Sequence, residues 1–255
     1  MSPHGHAKRS PADKLASGSV LVAGAGGLGS AAILAIARAG VGRIAIVDPD
    51  LVDESNLHRQ SLFCDADVGR PKALVARERL AADFGSIEVE ATVARIGPAD
   101  AWGFIEGRDV VVDATDDPHT KFVLNDACVL SETTFVTASA VGMRGYVLTV
   151  KPGYGPCLRC LFEGPPSAVD APGCDVLGVL GPVPGVLGAL LAVETAKAIA
   201  GGGASLVGKL LQYEGVSGTF RTVEFDERAD CAVCGDTPTI RSAMDLGASA
   251  PGGAR

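Results

Sequence analysis

The chain has 255 residues, of which 47% are hydrophobic and 20% are charged, and its formal net charge at pH 7 is −8. This length and apolar content are sufficient for one large α/β core. The acidic balance argues against a nucleic-acid-binding surface, which needs a basic excess or a basic stripe. We therefore expect a protein that does not bind nucleic acid.

Composition divides the chain into three regions. We predict a flexible N-terminal segment over residues 1–19, a single domain over residues 20–235, and a disordered tail of small and polar residues over 236–255. The first segment lacks the apolar core of a signal peptide, so a cytoplasmic location is expected. The uncharged stretch 176–193 is long enough to raise a membrane span, but its prolines and glycines favour a loop followed by a buried helix, and we expect no membrane association.

The first part of the domain predicts a βαβ unit. A short apolar strand at 20–23 precedes a glycine-rich turn at 24–29, a helix from Ser30 to Gly40 and a second strand at 43–47. This order requires a parallel sheet with a right-handed crossover. Further strands are predicted at 87–93, 109–113 and 134–138, with helices at 71–83 and 121–130.

Beyond Gly145 the pattern becomes rich in β-strand, glycine and proline. Antiparallel strands are predicted at 146–150, 209–213 and 219–225, with a helix at 184–200 between the first two. The whole pattern predicts a Rossmann-like, doubly wound, mainly parallel sheet with a β-rich C-terminal half.

Two Cys-x-x-Cys pairs lie in this C-terminal half, at Cys157 and Cys160 and at Cys231 and Cys234. Each pair can chelate a metal from one tight turn, and two pairs supply the four thiolates of a closed tetrahedral zinc site. In a reducing compartment these cysteines favour metal binding over disulfides. The sequence therefore predicts a structural zinc that staples the C-terminal half.

The glycine turn has the G-x-G-x-x-G spacing of a dinucleotide-binding loop. Gly24 permits the tight turn, Gly26 allows the backbone to approach phosphate, and Gly29 lets helix pack on strand, while Asp48 follows at the distance of a ribose-binding acid. On this evidence alone, an NAD- or FAD-dependent oxidoreductase is as good an interpretation as any other nucleotide enzyme.

A polar cluster after the second strand favours ATP. Asn56, Arg59 and Lys72 supply the cationic and polar groups that a triphosphate needs, and a dehydrogenase has no use for them at this place. Asp116 follows the strand at 109–113 and is suited to hold Mg²⁺, which prefers carboxylate and phosphate oxygens. Asp48, Asp113 and Asp116 should all lie at the carboxyl edge of the sheet.

These residues belong to a series of short motifs that occur in a characteristic order: Gly24–Gly29, Ala39–Gly42, Ser55–Leu57, Arg59–Gln60, Thr115–Asp116, Asn125–Asp126, Gly155–Cys157, Gly178–Gly185 and the second cysteine pair. In these motifs the chain resembles the ThiF/MoeB/HesA family, bacterial relatives of the ubiquitin-activating enzymes, over residues 20–235. The resemblance implies that this region is an adenylation domain. It further implies ATP-dependent adenylylation of the C-terminal glycine carboxylate of a ubiquitin-like sulfur-carrier protein ending in Gly-Gly, which prepares that protein for thiocarboxylate formation, and a homodimer.

The resemblance also assigns roles to individual residues. Asp48 would take the ribose and Asp116 the magnesium ion, and Arg59, Lys72 and Asp116 would be catalytic. The residues expected to bind phosphate or otherwise line the ATP site are Gly24, Gly26, Gly27, Gly29, Asn56, Arg59, Gln60 and Lys72.

Cys174 occupies the position at which some family members carry a cysteine that attacks the adenylate or accepts sulfur, and a catalytic thiol and an incidental thiol both remain open. The sulfur donor is expected to be a separate molecule. The alternatives to an adenylyltransferase are the NAD or FAD enzyme and a non-catalytic module that binds a ubiquitin-like protein. His58 and His119 lie beside the predicted site without a visible partner, so neither is given a role.

Overall fold

The computed structural model describes residues 9–166, 178–202 and 206–246. Within them, the strands are β1 (Ser19–Ala23), β2 (Arg43–Val47), β3 (Glu88–Thr92), β4 (Val110–Asp113), β5 (Thr134–Val141), β6 (Arg144–Val150), β7 (Lys209–Glu214) and β8 (Thr219–Glu224). They form one eight-stranded sheet in the order β3-β2-β1-β4-β5-β6-β7-β8.

The α-helices of the described residues are α1 (Pro11–Ser17), α2 (Gly27–Arg38), α3 (Lys72–Asp83), α4 (Ala101–Ile105), α5 (Pro118–Leu130), α6 (Leu158–Phe162) and α7 (Pro182–Ala200). Three of them, α2, α5 and α7, begin earlier than predicted. Gly26 is the N-cap of α2, so the glycine turn runs directly into the first helical turn. Pro118 opens α5 after the capping residue Asp117, a position that suits proline because its missing N–H needs no partner there.

The sheet is parallel from β3 through β5 and antiparallel from β5 through β8. The predicted doubly wound, mainly parallel sheet with a β-rich C-terminal half is therefore confirmed. β1 pairs with β2 on one side and with β4 on the other, so the chain reverses its winding direction between these strands. Such a switch point leaves a crevice at the carboxyl ends of the strands.

Side-chain alternation along the strands builds a core on each face of the sheet. In β1, Val20 and Val22 pack on the face that carries α2, α3 and α7, whereas Leu21 and Ala23 pack on the face of α4 and α5. The predicted buried helix near residue 184 is α7, the one described helix long and apolar enough to cross a membrane by length and composition. It packs against α2 and β5.

The structure differs from the sequence prediction at both ends of the domain. Within residues 1–19, helix α1 forms because Ser10 and Asp13 make a capping box, and Lys14 Nζ donates to Ala200 O at 2.7 Å. Part of the predicted disordered tail is also ordered, since Ile240 and Leu246 are buried in the second core. Ile240 and Leu246 are isolated apolar residues in a polar segment. Such residues give no periodic pattern, so the composition did not indicate that this part of the tail is ordered.

Gly29 tests the packing of α2 on the glycine turn, because a Cβ at this position would lie 1.9 Å from Gly24 O. We expect Gly29→Ala to lower the free energy of unfolding by at least about 2 kcal/mol. Gly185→Ala is the matched control, since a Cβ added to this helical glycine would meet no neighbouring atom within 4 Å. The control should be neutral or stabilising by about 0.5–1 kcal/mol. Urea denaturation measures both, and equal stabilities for the two variants would contradict the assigned contact.

Candidate active site

A cleft of about 340 Å³ opens at the carboxyl ends of β1, β2 and β4, where the winding direction reverses. The structure brings most of the predicted site residues together along its wall: Gly24, Gly26, Gly27, Asp48, Asn56, Arg59, Gln60, Lys72 and Asp116. Gly29 does not line the cleft. Its lack of a side chain lets α2 approach the backbone of Gly24, which does line it. Cys174 lies outside the described residues.

The glycine turn forms the floor of the cleft. Gly24 has a φ of +90°, and a Cβ on it would lie 2.8 Å from Ala114 O. Both constraints require glycine, because other residues rarely adopt this φ and have no room beside β4. Gly26 then caps α2 without a side-chain hydrogen bond, and Gly26, Gly27 and Leu28 of this helix start line the cleft. Such a helix N-terminus attracts anions.

Asp48 joins the end of β2 to this turn. Its Oδ2 accepts a hydrogen bond from Ala25 N at 2.6 Å, and its Oδ1 accepts one from Asp50 N at 2.8 Å. Burial raises the pKa of the Asp48 carboxyl, an effect opposed by the two backbone hydrogen bonds and by the charge of Lys72. Each carboxylate oxygen keeps a further lone pair for a ligand hydroxyl.

Lys72 and Arg59 approach the cleft from the chain beyond β2. Lys72 Nζ donates to Asp50 Oδ2 at 2.9 Å, and its side chain is only 7% exposed. Arg59 Nη2 donates to the side-chain oxygen of Asn56. Because that contact fixes the amide orientation of Asn56, its NH₂ group remains as a donor for a ligand. Two cations thus line the same cleft as the N-terminus of α2.

Asp113 and Asp116 lie on either side of the turn after β4 and have different surroundings. Asp113, expected at the open edge, is instead fully buried and accepts from Lys121 Nζ at 2.8 Å and Thr137 Oγ1 at 2.5 Å. Its other oxygen accepts from Thr115 N and Thr115 Oγ1. An unpaired carboxylate would be costly inside the sheet, and these partners compensate for its burial. Asp113 therefore shapes the turn, while Asp116 lines the cleft.

Asp117, rather than Asp116, caps helix α5. It accepts hydrogen bonds from the backbone N–H groups of His119 and Thr120, both at 3.2 Å. Although burial alone would raise its pKa, the hydrogen bonds from Thr120 and His119 lower the pKa of the Asp117 carboxyl. This division leaves Asp116 without the capping role that any aspartate before a helix could have had.

Sequence reasoning missed part of the cleft wall, which includes Ala94, Arg95, Ile96, Ser139, Val141 and Val179. Ligands bind beyond the carboxyl ends of parallel strands, and this rule could have identified residues 94–96, which begin two residues after the end of β3. Gln60 also lies in the wall. Its buried Oε1 has no hydrogen-bond partner within the described residues. A buried amide oxygen without a partner fits a site that accommodates a polar ligand.

The four cysteines of the two Cys-x-x-Cys pairs form a second site, and all four Sγ atoms lie within 4.8 Å of one another. Cys157 Sγ lies 3.6 Å from Cys231 Sγ, and Cys234 Sγ lies 3.4 Å from the sulfurs of Cys157, Cys160 and Cys231. A Zn–S bond of about 2.3 Å places tetrahedral sulfurs about 3.8 Å apart, whereas a disulfide needs about 2 Å. The cluster fits a zinc ion.

A buried ion pair connects this cluster with α5. Arg159 lies inside the first cysteine pair and donates from Nε and Nη2 to the two carboxylate oxygens of Asp126, at 2.7 and 2.8 Å. Asn125 Oδ1 accepts from Leu158 N at 2.9 Å. Burial raises the pKa of the Asp126 carboxyl, and the guanidinium of Arg159 opposes that effect. The cysteine cluster is therefore fixed to the helix whose N-terminal end borders the cleft.

The fold and the two sites define a Rossmann-like protein with a four-cysteine cluster and, at its switch point, a cleft that contains charged side chains. The model of the ThiF family matches residues 5–233. The chain belongs to the ThiF family, and the family predicted from its motifs is confirmed.

Two relatives match most of their own length. The chain is 41% identical over 238 residues to the "Sulfur carrier protein adenylyltransferase" of Thermus thermophilus, covering 91% of this chain and 88% of that protein. It is 40% identical to the "SAMP-activating enzyme E1" of Haloferax volcanii, covering 88% and 82% respectively. It is also 42% identical to the "Adenylyltransferase and sulfurtransferase MOCS3" of Aedes aegypti, but it spans only about half, 53%, of that protein.

Among solved structures, the fold is similar to the one described as "Crystal structure of E. coli MccB + ATP". The TM-score is 0.78 at 24% sequence identity, with 88% of this chain and 69% of that chain covered. At this identity the likeness concerns the fold.

The cysteine cluster predicts one zinc ion per chain. We expect metal analysis of the purified protein to find it, and Cys231→Ser to remove it and lower the free energy of unfolding by about 3 kcal/mol or more. Cys64→Ser is the control, because Cys64 is exposed and lies outside the cluster. Treatment of the wild-type protein with a strong chelator is the further test. If the metal-free protein keeps its full stability, the zinc site is contradicted.

Proposed function

We propose that the protein uses ATP to adenylylate the C-terminal carboxylate of a ubiquitin-like sulfur-carrier protein. The observation that carries this proposal is the convergence of Arg59, Lys72, Asp48, Asp116 and the free N-terminus of α2 on one cleft. The names of the relatives from Thermus thermophilus and Aedes aegypti support the same reaction.

The charges in the cleft suit a nucleoside triphosphate. The helix N-terminus and the glycine turn would hold phosphate oxygens, and Asp48 would accept hydrogen bonds from the ribose hydroxyls. Arg59 and Lys72 would neutralise phosphates that a dinucleotide cofactor does not carry. The buried Oε1 of Gln60, which has no partner within the described residues, offers one more acceptor to the nucleotide.

In the proposed reaction, the carrier carboxylate attacks the α-phosphorus, and pyrophosphate leaves as the P–O bond to the β-phosphate breaks. Both reactants are anions, so lowering their mutual repulsion is the main task of the protein. Arg59 and Lys72 supply positive charge to the transferring and leaving phosphates. Mg²⁺ bound to Asp116 would supply further neutralisation of the phosphate oxygens. The ionised carboxylate is already a nucleophile, and no general base is required.

The carrier tail can enter from the antiparallel half of the sheet. A second, open cleft of about 510 Å³ lies over β6 to β8, and it shares Ser139 and Val141 with the first cleft. A narrow peptide tail without side chains, such as Gly-Gly, is suited to pass from the second cleft into the first.

We further propose a homodimer, a structural zinc at the cysteine cluster and a separate sulfur donor that converts the adenylate to a thiocarboxylate.

Pyrophosphate exchange in the presence of a carrier protein ending in Gly-Gly tests the reaction. We expect Arg59→Ala, Lys72→Ala and Asp116→Ala each to lower the exchange rate by at least about 100-fold, because each removes charge stabilisation in the transition state. Arg70→Ala is the matched control. Arg70 is a nearby arginine that pairs with Glu78 and Asp67 outside the cleft, and its removal should leave exchange unchanged.

The carrier should be chosen from several ubiquitin-like proteins, since the cleft does not select one pathway. Full exchange activity in all three cleft variants would contradict the assigned site. Formation of a carrier complex with no AMP or pyrophosphate from ATP would favour a non-catalytic binding module instead.

The role of Cys174 can be separated from adenylylation. If this thiol accepts the acyl group or sulfur, Cys174→Ser will retain pyrophosphate exchange and lose thiocarboxylate formation on the carrier, which mass spectrometry detects as a mass increase of the carrier. Cys64→Ser is the control for loss of a thiol. Normal thiocarboxylate formation by Cys174→Ser would show that the cysteine is incidental.

A further inference from the structure

His58 immediately precedes Arg59 and has two hydrogen-bonding contacts. Its Nδ1 lies 2.9 Å from Ser55 O, and its Nε2 lies 3.4 Å from Arg59 Nη1. A carbonyl oxygen can only accept, so Nδ1 carries the proton in this contact. In the neutral ring Nε2 is then an acceptor, aimed at the guanidinium of Arg59. The histidine that had no role in the sequence therefore has a definite tautomer and a cationic partner.

The loop before α7 approaches His58 from another side. A Cβ built on Gly181 would lie 2.7 Å from His58 O and 3.6 Å from His58 Cδ2. The absence of a side chain at Gly181 lets the loop approach this closely. The loop therefore lies beside the backbone of His58, and the residue itself is exposed.

The guanidinium of Arg59 is bound by acceptors on both of its terminal nitrogens. Its Nη2 is bound by the side chain of Asn56, and its Nη1 faces Ser55 O at 3.5 Å and His58 Nε2 at 3.4 Å. A long side chain loses rotamer freedom when it is fixed, and here much of that loss precedes any ligand. Such preorganisation reduces the entropy lost on binding.

We propose that His58 is a positioning residue for ATP: through its unprotonated Nε2 it holds the Arg59 guanidinium in the orientation that receives phosphate. His58 is not among the residues that line the cleft, so it acts through Arg59 and not by touching the nucleotide. The inference rests on the proposed function for the identity of the ligand.

Two amide substitutions separate the contacts of the imidazole. His58→Asn places an amide donor near Ser55 O but removes the acceptor that faces Arg59. His58→Gln reaches further and returns a carbonyl oxygen to the position of Nε2. Calorimetric titration of the full chain with Mg-ATP should show dissociation constants raised about threefold to tenfold by His58→Asn. His58→Gln should stay within about twofold of wild type.

A double-mutant cycle shows whether the effect passes through Arg59. We expect Arg59→Ala alone to weaken ATP binding and His58→Asn to add less than about a twofold change in that background. Thermal unfolding and metal content of each variant verify that the fold is retained. An additive effect of the two substitutions, or equal weakening by His58→Asn and His58→Gln, would overturn the positioning role.

ATP binding by the wild-type protein separates the role of His58 from the proposed function. If wild type binds ATP, Arg59→Ala weakens that binding and His58→Asn has no effect, the inference about His58 alone is wrong. If wild type does not bind ATP at all, the proposed function and this inference both fall.

Discussion

The hydrogen bonds of one buried carboxylate hold the parts of the cleft together. Asp48 accepts from Ala25 N in the glycine turn and from Asp50 N beyond β2. Asp50 in turn binds the side chain of Lys72 and accepts from its backbone N–H at 2.9 Å. Asp48 thereby fixes the glycine turn to the end of β2, and Asp50 connects the first residue of α3 to the same place. The burial of the Asp48 carboxyl is unfavourable, and its two short backbone hydrogen bonds offset that cost.

The antiparallel half provides a rigid support for this arrangement. The cysteine cluster fixes the segment after β8 against the chain after β6, and the Arg159–Asp126 pair attaches the cluster to α5. Removing one partner of such a buried pair leaves an uncompensated charge, which costs about 3–5 kcal/mol in comparable cases. The N-terminal end of α5 carries the turn with Asp116. A metal at the cysteines would therefore stabilise the same helix that borders the cleft, although the two sites lie in different parts of the chain.

The sequence predicted the class of sheet, the cysteine cluster and most of the cleft because each has a local pattern. Glycine spacing, paired cysteines and polar residues after apolar strands all reflect constraints within a few residues. The inward position of Asp113 was not predictable in this way, since it depends on Lys121 and Thr137 from other elements. Helix α1 was missed despite its Ser10–Asp13 capping box, and the partners of His58 appear only when the backbone brings Ser55 O and Arg59 beside its ring.

A crystal structure of the protein with a non-hydrolysable ATP analogue and Mg²⁺ would test the nucleotide site most directly. We expect one nucleotide per chain, with phosphates beside Gly24–Gly27, ribose hydroxyls at Asp48, the metal at Asp116, and Arg59 and Lys72 within hydrogen-bond distance of the phosphates. A triphosphate bound elsewhere would contradict this site. Crystals soaked in parallel with NAD or FAD give the second contradicting outcome. That outcome is a nicotinamide or flavin ring in the cleft, with Arg59 and Lys72 directed into solvent.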